Sequence, residues 1–137
     1  MQGRAGSAAT LARPMHVSRL SAAEPFTTKD GSQIRELAHP GWTPARNQSL
    51  AEATVPPGGA TTAHLHPRSE ELYFFTAGSG RLRVGADERE VAAGDCAVIP
   101  PGVEHKLWNT GDVPMTLLCC CAPAYSHEDT VLTEPEA

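Results

Sequence analysis

Apolar and polar residues alternate in short runs along this chain, and Gly and Pro separate the runs at intervals of about ten residues. Strands are predicted at 48–55, 61–66, 71–77, 80–84, 90–91, 96–99, 105–109 and 114–122. A strand sends successive side chains to opposite faces, so the run "ELYFFTA" sets Glu71, Tyr73 and Phe75 against Leu72 and Phe74. No segment carries a sustained helical period, and only a helical turn in the terminal segments is left open. The pattern is that of an all-β sandwich or barrel. Ahead of it, "KDGSQIRELAHPGWTP" has turn signals at Asp30-Gly31 and Pro40-Gly41 around one apolar stretch, which predicts an edge strand and a loop. Residues 1–24 are small, polar and basic and predict a flexible arm; the domain is expected over 25–131, with 132–137 a frayed tail.

A chain of 137 residues suits one domain. With 40% hydrophobic and 20% charged residues it is neither disordered nor fibrous in composition. The net charge of −5 and the scattering of Lys and Arg argue against a nucleic-acid partner. No run approaches the roughly 18 apolar residues of a membrane helix, and "AGSAATLA" is too short and polar for a secretory segment. Arg outnumbers Lys nine to two and alanine is abundant, a bias of GC-rich genomes that says nothing about mechanism. Cys96, Cys119, Cys120 and Cys121 show no disulfide spacing, which predicts a reduced, cytoplasmic setting. The run "MTLLCCCAP" reads as a buried strand in which cysteine serves as a small hydrophobe rather than as a soft-metal ligand.

The candidate chemistry lies in "HLHPRSEE". His64 and His66 share one strand face and can chelate one ion, although an isolated H-x-H is more often two polar residues on a wet face. Glu71 opens the next strand with the parity to join them, while Glu70 points outward unless a bulge intervenes. A fourth donor is available in His105, which follows the turn Pro100-Pro101-Gly102 at the start of a strand; the adjacent Glu104 points away. Three imidazoles and a carboxylate suit iron, manganese, nickel, cobalt, copper or zinc. A six-coordinate ion held by four such donors keeps two positions for water, oxygen or substrate.

These residues resemble the cupin superfamily. Its motif G-x5-H-x-H-x4-E-x6-G is matched by Gly58, His64, His66, Glu71 and Gly78, and G-x5-P-x-G-x2-H-x3-N by Gly94, Pro100, Gly102, His105 and Asn109. Fifteen residues separate Gly78 from Gly94, as in small single-domain cupins named after mannose-6-phosphate isomerase, quercetin dioxygenase or polyketide cyclases. The resemblance implies a double-stranded β-helix, a jelly-roll barrel, with His64, His66, Glu71 and His105 as ligands of one divalent transition metal and Asn109 structural.

The function implied is that of an enzyme acting on a small oxygenated molecule by dioxygenase, cyclase or isomerase chemistry, with the tailoring of a secondary metabolite as one form of it; a non-catalytic metal- or ligand-binding barrel is the alternative. Tyr73 is the candidate catalytic residue, as a hydrogen-bond donor, acid or base. Gln48, Tyr73, Phe75 and Leu107 are expected to line the substrate pocket. Outward Leu72 and Phe74, with Trp108, predict a homodimer. Neither a helix-turn-helix segment nor a phosphate-binding cationic cluster is visible, which sets aside a two-domain regulator and weakens a phosphosugar substrate.

Overall fold

The computed structural model describes residues 14–135, so residues 1–13 of the expected arm and the last two of the expected tail lie outside the described residues. Among the described residues, eleven strands form two antiparallel sheets. One sheet has six, in the order β1 (Phe26–Thr27), β2 (Gln33–Ala38), β3 (Ser49–Val55), β10 (Met115–Ala122), β5 (Glu70–Ala77) and β8 (Cys96–Ile99). The other has five, in the order β11 (Val131–Leu132), β4 (His64–Leu65), β9 (His105–Asn109), β6 (Ser79–Val84) and β7 (Asp87–Ala92). This is the double-stranded β-helix of a jelly-roll barrel, all-β as the alternation predicts.

The inner faces follow the two-residue period. β5 buries Glu71, Tyr73 and Phe75 and leaves Glu70, Leu72 and Phe74 outside; β9 buries His105, Leu107 and Asn109. β10 pairs with both β3 and β5, so the apolar run with its cysteine triplet is a central strand. Ile34, Phe75, Leu82, Ile99, Met115 and Leu117 fill the core. By contrast, the inner face of β3 carries Ser49, Ala51 and Ala53, side chains too small to meet the opposite sheet. That shortage of volume leaves a cavity inside the barrel beside the histidines.

Several predicted elements change in the structure. The run 61–66 contracts to β4, because Ala60 forms only an isolated bridge with Trp108 and Thr61 and Thr62 turn their N–H groups to Leu107 O and Asp30 O. The run 90–91 extends to six residues paired along β6. β2 is not an edge strand, since β1 pairs alongside it. Of the expected arm, residues 20–22 make a 3-10 turn and Ser18 Oγ donates to Leu37 O at 2.7 Å. The expected fraying after Val131 is corrected as well. Val131 and Leu132 pair with Leu65 and His64, Thr133 N donates to Ala63 O, and the Glu134 carboxylate accepts from Ala63 N and from the Lys106 ammonium. Acidic residues that read as a solvated tail serve here as acceptors for the backbone of the neighbouring strand.

Candidate metal centre

His64 and His105 stand directly opposite one another on β4 and β9, and His66 follows one residue beyond β4. The turn before β9 is tied to this segment by Gly102 N donating to His66 O at 2.8 Å; Gly102 adopts φ 78°, which a residue with a Cβ rarely does. One ring nitrogen from each of the three buried imidazoles lies within 4.8 Å of the others. Each Nδ1 has a carbonyl behind it: Thr62 O at 2.7 Å for His64, Val103 O at 3.0 Å for His105 and Asp129 O at 3.2 Å for His66. A carbonyl only accepts, so each Nδ1 carries the proton and each Nε2 presents a lone pair inward.

Glu71 reaches the same point from the other sheet. Its Oε1 is 3.2 Å from His66 Nε2 and 3.4 Å from His105 Nε2, while Oε2 accepts from Cys121 Sγ at 3.3 Å. Glu71 Oε1 and His105 Nε2 are buried without a hydrogen-bond partner among the described residues. Electron-rich atoms facing each other in a dry interior require a proton or a cation between them. Burial alone pushes the Glu71 carboxyl up, but the His105 and His66 imidazoles outweigh it and hold it down at about 2. Burial pulls His66 down, yet the Glu71 carboxylate 3.2 Å from its Nε2 raises it overall. His64 is lowered by burial and by His105. The four side chains fit a divalent first-row ion. With bonds of about 2.0–2.2 Å, adjacent donors on one ion stand about 3 Å apart, close to the separations from Glu71 Oε1 to His66 and His105.

The cavity beside these donors has a water-accessible volume of about 40 Å³, room for a few water-sized groups. Tyr73 and Leu107 line it. Phe75 does not: it is wholly buried behind Tyr73, ring to ring at 6.1 Å, and belongs to the core. Gln48 is also displaced from the pocket. It is exposed, with its Oε1 3.5 Å from Cys120 Sγ, and Ser49 takes the inner position. Burial and nearby Glu71 raise the Tyr73 hydroxyl well above its ordinary value, which keeps it protonated in the metal-free protein. Arg83 and Lys106 lie over the Trp108 ring, each 5.5 Å from its centre.

Sequence reading missed Asp30, Cys119, Cys121, Tyr125 and Thr130, all of which line the cavity. Tyr125 and Thr130 arrive on the C-terminal segment, which crosses behind His66. There the Asp129 carboxylate accepts from Arg68 N and Ser69 N, bracing the loop that joins His66 to Glu71.

Residues 51–121 match the family described as Cupin domain. An uncharacterised protein of Methanocaldococcus jannaschii is 49% identical over 111 residues, which covers 81% of this chain and 89% of that one. Tetracenomycin polyketide synthase protein TcmJ of Streptomyces glaucescens is 27% identical over 109 residues, 78% of this chain and 73% of that one. Among solved structures, a predicted oxalate decarboxylase of Thermotoga maritima superposes with a TM-score of 0.69 at 22% identity, over 79% of this chain and 99% of that one, a likeness of fold alone.

Proposed function

Since the chain belongs to the cupin domain family, we propose that it is a metal-dependent enzyme of that family, acting on a small oxygenated molecule inside the barrel. The observation that carries this reading is the set of buried, carbonyl-backed imidazoles converging with an otherwise unpartnered Glu71 Oε1 beside a cavity. A scaffold without chemistry has no use for electron-rich atoms buried face to face, each costly to desolvate.

His64, His66, His105 and Glu71 would hold one divalent ion, of iron, manganese, nickel, cobalt, copper or zinc. When bound, such an ion supplies Lewis acidity to a coordinated hydroxyl or carbonyl oxygen. Around it the chain does the rest. Tyr73 offers an O–H to a ligand oxygen, Leu107 and Leu117 exclude water, and the small residues of β3 leave the ligand its space. Dioxygenase, cyclase and isomerase reactions all use that arrangement, and the likeness to a polyketide synthase protein supports a tailoring step in secondary metabolism.

The same reading pairs two copies of the chain. Leu72, Phe74 and Val98 are 38%, 42% and 57% exposed on adjoining strands, an apolar face that a second copy would cover. Among the described residues no helix is long and apolar enough to cross a membrane, and a cytoplasmic setting accords with cysteines that are all unpaired.

Elemental analysis of the purified protein, followed by His66→Ala and Glu71→Ala, tests the proposal. Both variants should lose the ion and turnover while remaining folded. Oxygen uptake with catechols, flavonols and dicarbonyls then separates dioxygenase from oxygen-independent chemistry. A wild-type protein that takes up no transition metal at neutral pH ends the enzyme reading.

A further inference from the structure

If the four donors fix where a ligand is held, the remaining wall says what kind of ligand it is. Asp30 sits in the tight turn between β1 and β2, and its two carboxylate oxygens have different fates. Oδ1 accepts from Ser32 N at 2.9 Å, from Ser32 Oγ at 2.7 Å and from Thr28 Oγ1 at 2.7 Å, which locks the plane of the group. Oδ2 makes no hydrogen bond among the described residues and lies 3.6 Å from His64 Nε2, beyond bonding distance. The turn is anchored to the ligand-bearing segment, because Thr62 N donates to Asp30 O at 2.7 Å and Thr62 O in turn holds His64 Nδ1. Asp30 is therefore a rigid acceptor beside the imidazoles.

Charge in the lining is one-sided. Asp30, Glu36 and Glu71 contribute carboxylates, and Glu36 Oε2 is buried with no partner, whereas no Lys or Arg among the described residues lines the cavity. Lys29, the neighbour of Asp30, is turned away and donates to Thr130 O at 2.8 Å. Ile34, Ala51, Ala53 and Val55, on the paired strands β2 and β3, give the cavity an apolar wall. A dicarboxylate entering this site meets like charge with only the ion to offset it. A neutral molecule with an O–H group and a carbon face meets a fixed acceptor and an apolar wall.

We propose that Asp30 selects the ligand by accepting a hydrogen bond from one of its hydroxyl groups, and that the site takes neutral hydroxylated molecules such as vicinal diols in preference to dicarboxylates. The proposal rests on the metal-dependent reading above and narrows its substrate class. Losing a hydrogen bond to a charged acceptor in a dry site weakens binding by about tenfold or more.

The test is calorimetric titration of the metal-loaded protein and its Asp30→Asn variant with catechol and with oxalate, with metal content measured alongside. Wild type should bind catechol more tightly than oxalate, and Asp30→Asn should lower the ratio of the two affinities by about tenfold while keeping its metal. Preference of the wild type for oxalate, an unchanged ratio in the variant, or absence of catechol binding overturns the assignment. Loss of the ion from Asp30→Asn overturns it too, since Asp30 would then be a ligand. All these outcomes presuppose metal-loaded wild type, so they are distinguishable from failure of the wild type to take up metal, which removes the enzyme reading itself.

Discussion

Cys121 Sγ donates a hydrogen bond to Glu71 Oε2 at 3.3 Å, and the two residues are paired across β10 and β5. Glu71 Oε1, by contrast, is left facing His66 and His105. Burial pushes the Cys121 thiol far above its ordinary value, so it is a neutral donor at any physiological pH. Its effect is to make the two oxygens of Glu71 inequivalent and to aim one of them at the imidazoles. Removing a group that orients a metal ligand typically weakens metal binding by about 10- to 100-fold. A thiol is a weak donor, which puts Cys121→Ala at the lower end, about tenfold. Cys121→Ser keeps a donor and should lose less. Competition with a chelator of known affinity measures both, and equal affinities for wild type and Cys121→Ala would show that Glu71 needs no such support.

Asp129 acts on the same centre from the C-terminal side. Its carboxylate accepts from Arg68 N at 3.1 Å and Ser69 N at 3.0 Å, and its carbonyl holds His66 Nδ1 at 3.2 Å. Asp129→Ala leaves the two N–H groups of the His66–Glu71 loop without their acceptor, at a cost of about 2–4 kcal/mol. Thermal unfolding should show that loss, and chelator competition should show weaker metal retention. Because the carbonyl that faces His66 belongs to the backbone, the variant separates bracing of the loop from orientation of the imidazole. Unchanged metal affinity in a destabilised protein would restrict Asp129 to stability.

The apolar face of β5 and β8 gives the third prediction. Phe74 lies beside Leu118 and Leu72 beside Val98 and Cys120, so these side chains form one continuous patch. If a second copy covers it, Phe74→Glu should convert a dimer into a monomer in analytical ultracentrifugation with an unchanged far-UV spectrum. Sedimentation of the wild type as a monomer removes the pairing proposal.

The candidate site was legible in the sequence where it rests on strand parity. His64 and His66 share a face whatever the strand's length, and the same counting separates Glu71 from Glu70 along β5. The inner position of this strand was not legible at Gln48, because β3 has little contrast between its faces: Ser49, Ala51 and Ala53 point inward while the larger Leu50 points toward the outside. The inner face is defined there by the need for empty volume, which no hydrophobic pattern encodes. Asp30 was visible only as half of an Asp-Gly turn, since its role depends on Thr62 N meeting its carbonyl across a separation of 32 residues. The C-terminal segment failed for a related reason. Asp129 and Glu134 look like solvated acids in sequence, and a carboxylate that accepts backbone N–H groups has the same one-letter code as one that faces water.

The pH dependence of stability should differ in sign with and without metal. In the metal-free protein the Glu71 carboxyl is held below its ordinary 4.5, so its contribution is complete above 4.5 and is lost as pH falls toward 2. His66 is raised above its ordinary 6.5, so its contribution is complete below 6.5 and is lost as pH rises through the higher folded value. His64 is lowered, which costs stability only below 6.5. Of these three groups, therefore, His66 alone still titrates above 6.5, and the metal-free protein should become less stable from there upward. A bound ion reverses this, because it requires Nε2 free of a proton and gains affinity as protons leave. Urea unfolding at pH 6.5 and pH 8, with and without chelator, measures both slopes. A metal-loaded protein whose midpoint falls in parallel with the metal-free one would mean that the ion is not held by these imidazoles.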